Sequence, residues 1–235
     1  MIWDDRGAQV SRRFGDVYYS REGGLAESRA VFLAGAGLPD AWAGRRHFCV
    51  AELGFGTGLN IAALLALWRR RRAPGAQLSL FSVEAWPLAT DEAARALGAW
   101  PELAAVAEAL TGRWPGRARG FHRVDLPDFH ASLDVAVMDA EAALTAWSGR
   151  ADAWFLDGFA PARNPEMWSP GLMDLVAARS AAGARVATYT VAGAVRGALS
   201  RAGFAVERRP GFGAKRRRLE ATLPGAASAL AAAPT

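Results

Sequence analysis

Short apolar runs alternate with helix-like stretches through the middle of this chain, and that alternation limits the fold more than any other feature. The runs are Phe48–Leu53 (FCVAEL), Leu78–Glu84 (LSLFSVE), Leu133–Met138 (LDVAVM), Asp152–Asp157 (DAWFLD) and Arg185–Thr190 (RVATYT). Between them lie Leu59–Arg72, Leu88–Ala99 with Pro101–Leu110, and Gly171–Ala181. Strands that alternate with helices predict βαβ units and a mostly parallel sheet. The runs are apolar on both faces, as in sheets covered by helices on both sides. The end of the chain differs. Phe204–Arg209 (FAVERR) and Arg217–Leu223 (RRLEATL) are joined only by PGFGAKR. That link is too short for a crossover helix, so an antiparallel hairpin should close the sheet. With 235 residues, 51% of them hydrophobic, one globular domain accommodates all of this.

The loop after the first run, Ala51–Asn60 (AELGFGTGLN), places glycine at 54, 56 and 58. Glycines let a backbone approach a ligand closely. A helix beginning near Leu59 aims its free N–H groups at that ligand. A dinucleotide fingerprint needs a small residue at position 59, but this chain has Leu59 and the spacing G-x-G-x-G. No G-x-x-x-x-G-K-[ST] phosphate loop is present. Glu52 would repel a pyrophosphate and suits the cationic methionine end of S-adenosylmethionine. The loop therefore favours that cofactor over NAD, with Glu52, Gly54, Gly56, Gly58 and Asn60 as expected contacts. A tight strand–helix turn without a ligand is the plainer alternative.

Further candidates sit at the ends of later runs. Glu84 can accept hydrogen bonds from both ribose hydroxyls of a nucleoside, or be a polar strand end. Asp139 can accept from an adenine amino group, with Glu141 a rival and a solvated acidic turn the alternative. The fourth run leads into Asp157–Trp168 (DGFAPARNPEMW). A doubly wound sheet places this stretch beside the glycine loop, where ligands bind at the carboxyl ends of strands. Asp157 is a candidate proton acceptor or amine-orienting group. Phe159 and Trp168 offer flat faces for a base, and Pro161 and Pro165 stiffen the loop. The alternative is a proline-rich connection in which Asp157 caps the next helix.

Composition narrows the remaining classes. The single cysteine, Cys49, excludes an intrachain disulfide, fits a reducing compartment and reads as a small buried hydrophobe. His47, His122 and His130 have no metal-ligand spacing with one another or with Cys49, so no metal is expected. No G-x-S-x-G elbow suggests a hydrolase. No apolar run reaches the ~20 residues of a membrane helix, and no signal-peptide core begins the chain. A cytoplasmic location without membrane contact is expected. The net charge is +5. The basic run Lys215–Arg218 is either a solvated face or a phosphate contact, and Arg69–Arg72 suit a helix C-terminus.

These stretches together resemble the methyltransferase domain of the bacterial tRNA wobble-uridine enzymes of the MnmC family, including its free-standing form, MnmD. The resemblance runs from Trp3 to about Leu223. It is carried by WDDRGAQVSRRFGDVYYS, GLAESRAVFL, AELGFGTGLN, SVEAWPL, WPELA, DAWFLDGFAPARNPEMW and GFGAKRRRLEATL. The pattern D-G-F-A-P-x-x-N-P-x-M-W is the most specific of them. One departure is Met138, where relatives tend to have glycine before the acid at 139. The resemblance implies an α/β, class I (Rossmann-like) methyltransferase fold over residues 1–223. Its mostly parallel, seven-stranded sheet would end in an antiparallel hairpin, with an N-terminal extension to about residue 45 and a disordered tail over 224–235. It implies S-adenosylmethionine-dependent methylation of the exocyclic amine of 5-aminomethyl(-2-thio)uridine at the tRNA wobble position. Asp157, Phe159 and Trp168 would then be catalytic, and Pro161, Asn164, Lys215 and Arg216 would contact the tRNA. Many relatives carry a C-terminal FAD-dependent oxidase. Only an alanine-rich stretch follows Leu223 here, so the chain is expected to be either free-standing or a fragment of a larger protein, with a separate oxidase or none and no FAD in this chain. A class I methyltransferase for a protein or small molecule is the alternative.

Overall fold

The computed structural model describes residues 2–3, 9–19, 23–213 and 215–225. Part of the N-terminal stretch that carries the resemblance, at residues 4–8 and 20, lies outside the described residues, as do residues 226–235 of the expected tail. Two short strands, β1 (Ile2–Trp3) and β2 (Gln9–Val10), pair antiparallel at the start. Helix α1 (Gly24–Glu27) continues as a wider, π-helical stretch over Ser28–Leu33.

The repeating part then follows as β3 (His47–Leu53), α2 (Leu59–Arg71), β4 (Gln77–Val83), α3 (Thr90–Leu97) and α4 (Ala104–Thr111). After these come β5 (Gly120–Leu126), β6 (Ala131–Val137), α5 (Ala140–Ala146), β7 (Ala151–Leu156) and α6 (Pro170–Ala178). The chain closes with β8 (Ser180–Thr188), α7 (Gly193–Arg201), β9 (Ala205–Pro210) and β10 (Arg217–Thr222).

The main sheet runs β5-β6-β4-β3-β7-β8-β10-β9. Strands β6, β4, β3, β7 and β8 pair in parallel, and β10 runs antiparallel to both β8 and β9. The expected closing hairpin is therefore present. The sheet has eight strands rather than the seven expected, because β5 adds an antiparallel edge on β6. In GFHRVDL only Val124 and Leu126 are buried. An edge strand wet along most of its length lacks the continuous apolar run that marks the central ones.

Helices cover both faces. Val50 of β3 belongs to the core under α2 with Ile61, Leu64 and Trp68, whereas Ala51 and Leu53 belong to the core with Leu172, Met173 and Leu199 of α6 and α7. Two fully buried tryptophans satisfy their indole N–H groups. Trp68 donates to the Phe129 carbonyl at 3.0 Å and Trp154 to Ser180 Oγ at 2.8 Å. β3 has β4 on one side and β7 on the other, so the chain reverses its progress across the sheet at β3. The crevice outside the carboxyl ends of β3 and β7 is the position where such sheets bind ligands.

Candidate active site

Leaving β3, the chain passes through Gly54, Gly56 and Gly58 with φ of 93°, 52° and 75°. These are left-handed conformations that glycine tolerates and side chains resist. The amides of Gly54 and Phe55 both donate to the Val83 carbonyl at 3.0 Å, which ties the loop to the end of β4. Glu84, one residue on, accepts from Gly56 N at 3.0 Å and from Trp86 N at 2.9 Å. Burial pushes the Glu84 carboxyl up, and those two N–H groups oppose the shift. Gly58 caps α2 without a side-chain hydrogen bond, so the first-turn N–H groups of α2 lack a capping side chain.

Beneath the loop lies a network of acids. Asn60 donates through Nδ2 to Glu52 Oε1 at 3.1 Å and to Asp157 Oδ2 at 2.7 Å. Glu52 is buried and also accepts from Ser82 Oγ at 2.7 Å. Burial drives its carboxyl well above the usual range, and Asp157 and Glu84 add to the effect. The expectation that Glu52 contacts a ligand cation directly needs correction, whereas Asn60 does line the cavity. Glu52 does not line the cavity, and it reaches the surface only through Asn60, whose amide is taken up by two carboxyl groups. A carboxyl so far desolvated favours its neutral form and offers little attraction to a sulfonium. Asp157 is half-buried and accepts from Gly158 N at 2.9 Å as well as from Asn60. Burial raises its carboxyl to about 6; the Asn60 and Gly158 hydrogen bonds and Lys215 pull it down, and Glu27 pushes it up.

These groups open into a cavity of about 680 Å³ lined by Gly54, Gly56, Asn60, Glu84, Asp139, Asp157, Phe159, Asn164 and Lys215. Asp139 does not stand free. Its Oδ1 caps α5 by accepting from Glu141 N at 2.9 Å and Ala142 N at 3.3 Å. Glu141 lines the cavity too and accepts from Ser169 Oγ. Trp168 is not brought to the cavity. It is buried in the core, and its indole N–H donates to the Phe159 carbonyl at 3.0 Å, so it holds the loop rather than offering a face. Pro161, half-buried, and Arg216, exposed on the approach to β10, also lie off the lining. Among the described residues no cluster of His, Cys, Asp and Glu could hold a metal ion.

Several lining residues had no role in the sequence reading. Phe14 stacks on Phe159 with ring centroids 4.7 Å apart, and Tyr18 meets Phe159 edge-on at 5.3 Å. A Cβ on Gly56 would lie 3.4 Å from the Tyr18 ring. The segment carrying both rings is held across the site by Asp16, whose Oδ2 accepts from Ala160 N at 3.0 Å. One face of Phe159 is thus already covered. Glu27, Trp86 and Tyr189 line the cavity as well. Phe14, Tyr18 and Glu27 lie in WDDRGAQVSRRFGDVYYS and GLAESRAVFL, but nothing local links either stretch to a loop more than a hundred residues away.

A family model described as S-adenosyl-L-methionine-dependent methyltransferase matches residues 101–224. The chain belongs to this family. No helix among the described residues of this methyltransferase is long and apolar enough to cross a membrane. Among curated relatives, the tRNA 5-methylaminomethyl-2-thiouridine biosynthesis bifunctional protein MnmC of Caulobacter sp. (strain K31) is 64% identical over 97% of this chain and 39% of its own length. The protein of the same name from Maricaulis maris is 51% identical over 96% of the chain and 38% of its own. The methyltransferase therefore spans about two fifths of these relatives. Among solved structures, MNMC2 from Aquifex aeolicus matches with a TM-score of 0.76 and 25% identity, over 95% of this chain and 70% of that one. The site suits the family's cofactor. The three glycines keep side chains out of the cradle, and Glu84 presents a carboxylate beside Gly56 where a ribose could reach it.

Proposed function

We propose that this methyltransferase uses S-adenosylmethionine to methylate the exocyclic amine of 5-aminomethyl(-2-thio)uridine at the wobble position of tRNA. The observation that carries the reading is the 64% identity, over 97% of the chain, to a relative named for tRNA 5-methylaminomethyl-2-thiouridine biosynthesis. The placement of Asp157 and Phe159 beside the glycine loop supports it. When bound, S-adenosylmethionine supplies a methyl group on a sulfonium, which a neutral amine can attack.

The chain's own residues prepare that amine. In water an alkylamine is protonated, with a pKa of roughly 10, like lysine. Enclosure beside Phe159, under Phe14 and Tyr18, disfavours the charged form. Asp157, steadied by Asn60 and Gly158, is placed to orient the amine and accept its proton. Holding the two reactants in one cavity removes much of the entropic barrier. Outside the cavity, Arg208, Arg216 and Arg217 are exposed on the closing hairpin and supply cations for an RNA backbone.

The deciding experiment is mass spectrometry of wobble nucleosides from tRNA carrying the aminomethyl group, before and after incubation with enzyme and cofactor. Conversion of 5-aminomethyl to 5-methylaminomethyl nucleoside is expected. Absence of conversion, or methyl transfer from labelled cofactor that survives RNase treatment, overturns the reading.

The pH dependence follows from Asp157. A protonated carboxyl cannot accept a proton, and this one is raised to about 6. Turnover is expected to fall toward tenfold per unit as pH drops below that value. A rate profile flat from about pH 7 to about pH 5 would show that Asp157 is not the proton acceptor.

A further inference from the structure

The rim of the cavity carries side chains that the mechanism above does not use. Trp86, just beyond Glu84, is 51% exposed, more than any other large apolar side chain among the described residues. It belongs to neither core cluster. The Arg13 guanidinium lies over its ring, 3.9 Å from the centroid, and Phe14 meets it edge-on at 5.7 Å. Arg13, Phe14 and Trp86 line the cavity, and so does Arg163, from the loop that carries Asp157. Arg13 and Arg163 are both exposed. Among the described residues neither forms an ion pair.

The proposed substrate makes a demand at this place. The wobble uridine can enter an enclosed cavity only by leaving the stack of the anticodon loop. The nucleotide next to it then loses a stacking partner. Unstacked bases of RNA find a replacement on aromatic rings and on arginine planes. The rim offers both, one laid on the other, beside the opening that the uridine uses. Stacking occupies the plane of the Arg13 guanidinium and leaves its N–H edge free for a phosphate. Arg163 adds a second cation without a carboxylate partner. A flat ring among unpaired cations suits a nucleotide better than an apolar peptide segment.

We propose that Trp86, supported by Arg13, is the stacking platform for the nucleotide adjacent to the wobble uridine, with Arg13 and Arg163 holding the phosphates around it. This rests on the reading of the substrate as tRNA. Every base has a π face, so the platform accepts whichever base stands next to the uridine and does not select among tRNAs at that position.

The test uses tRNA carrying 5-aminomethyluridine at the wobble position, and two further tRNAs that lack the base of the preceding or of the following nucleotide. Wild type must first methylate the intact tRNA; if it does not, the functional reading fails and the platform with it. Given that activity, affinities are measured with S-adenosylhomocysteine present, so that no turnover occurs. Trp86→Ala should weaken the intact tRNA roughly five- to a hundredfold, the worth of one stacked base, and Trp86→Phe should recover most of the loss. One of the two abasic tRNAs should bind wild type more weakly by a similar factor. Trp86→Ala should bind that RNA and the intact one alike, because ring and base act as a pair. Arg13→Gln should lower the slope of log affinity against log salt by about one. The Trp86 N–H that Glu84 accepts from is backbone, so Trp86→Ala should leave the affinity for S-adenosylmethionine near wild type. Losses from Trp86→Ala that simply add to those of both abasic sites overturn the proposal. A loss of cofactor affinity as large as the loss of tRNA affinity also overturns it, since the ring would then be a cover for the cofactor. An unchanged salt slope in Arg13→Gln removes the phosphate contact. Both side chains are exposed and outside the core, so the variants leave the fold intact.

Discussion

Asp157→Ala is expected to lower kcat for methyl transfer by about 10²–10⁴-fold, the range of a positioned general base, while cofactor affinity stays close to wild type. The geometry separates the two effects. The groups placed for the cofactor, the glycine loop and Glu84, are tied to Val83 and Trp86 rather than to Asp157. Asn60 loses one partner in the variant but keeps Glu52. Single-turnover kinetics with saturating cofactor measures the first quantity and calorimetric titration the second. Turnover within tenfold of wild type would remove Asp157 from the chemistry. Loss of cofactor binding would show instead that Asp157 works chiefly as a strut for the loop.

Gly54→Ala should act in the opposite way, through the scaffold. At φ 93° a side chain is already strained, and its Cβ would lie 2.8 Å from the Asp157 carbonyl oxygen and 3.2 Å from that carbonyl carbon. Both are backbone atoms, which cannot rotate aside. Strain of this kind costs about 1–3 kcal/mol, and each kcal/mol lowers Tm by roughly 2–4 °C in a chain of this size. Relief requires the loop to move off the end of β7, which takes the cradle apart. We expect no measurable binding of S-adenosylmethionine by calorimetry and a melting temperature several degrees lower. Gly75→Ala provides the control, because φ is 74° there but nothing lies within 4 Å of the added Cβ. It should cost some stability and leave binding intact. If Gly54→Ala bound the cofactor as well as Gly75→Ala, the close approach at β7 would have no functional weight.

The parts of this molecule that the sequence displayed are those with local causes. Buried parallel strands must be apolar on both faces, so Phe48–Leu53 and Asp152–Asp157 stand out in any window. A loop that needs three positive φ angles shows three glycines. The hairpin at the end was legible from the shortness of PGFGAKR alone. Strand β5 was not, because it is wet along most of its length. The α7 helix was not, because of its buried residues Val195, Ala198 and Leu199 only two are large apolar side chains, too few to mark a helical period. Site geometry was legible in part. Asp157, Phe159 and Glu84 follow from their place at strand ends. The diversion of Glu52 into the floor, the withdrawal of Trp168 into the core and the covering of Phe159 by Phe14 depend on pairings between distant segments, which no spacing rule encodes.

The hydrogen bond from Ala160 to Asp16 joins residues 144 apart in the chain, and the Lys215–Glu27 pair joins residues 188 apart. Closing such long loops costs entropy before any contact compensates it, whereas β3, α2 and β4 assemble among near neighbours. We expect the chamber to be completed after the sheet that supports it and to open before it. Amide exchange at Ala160 should be faster than at the central strands and should slow when cofactor is bound. The site draws on the N-terminal segment as well as the sheet, so a chain that has made its sheet but not yet brought Asp16 onto Ala160 is folded and still inert.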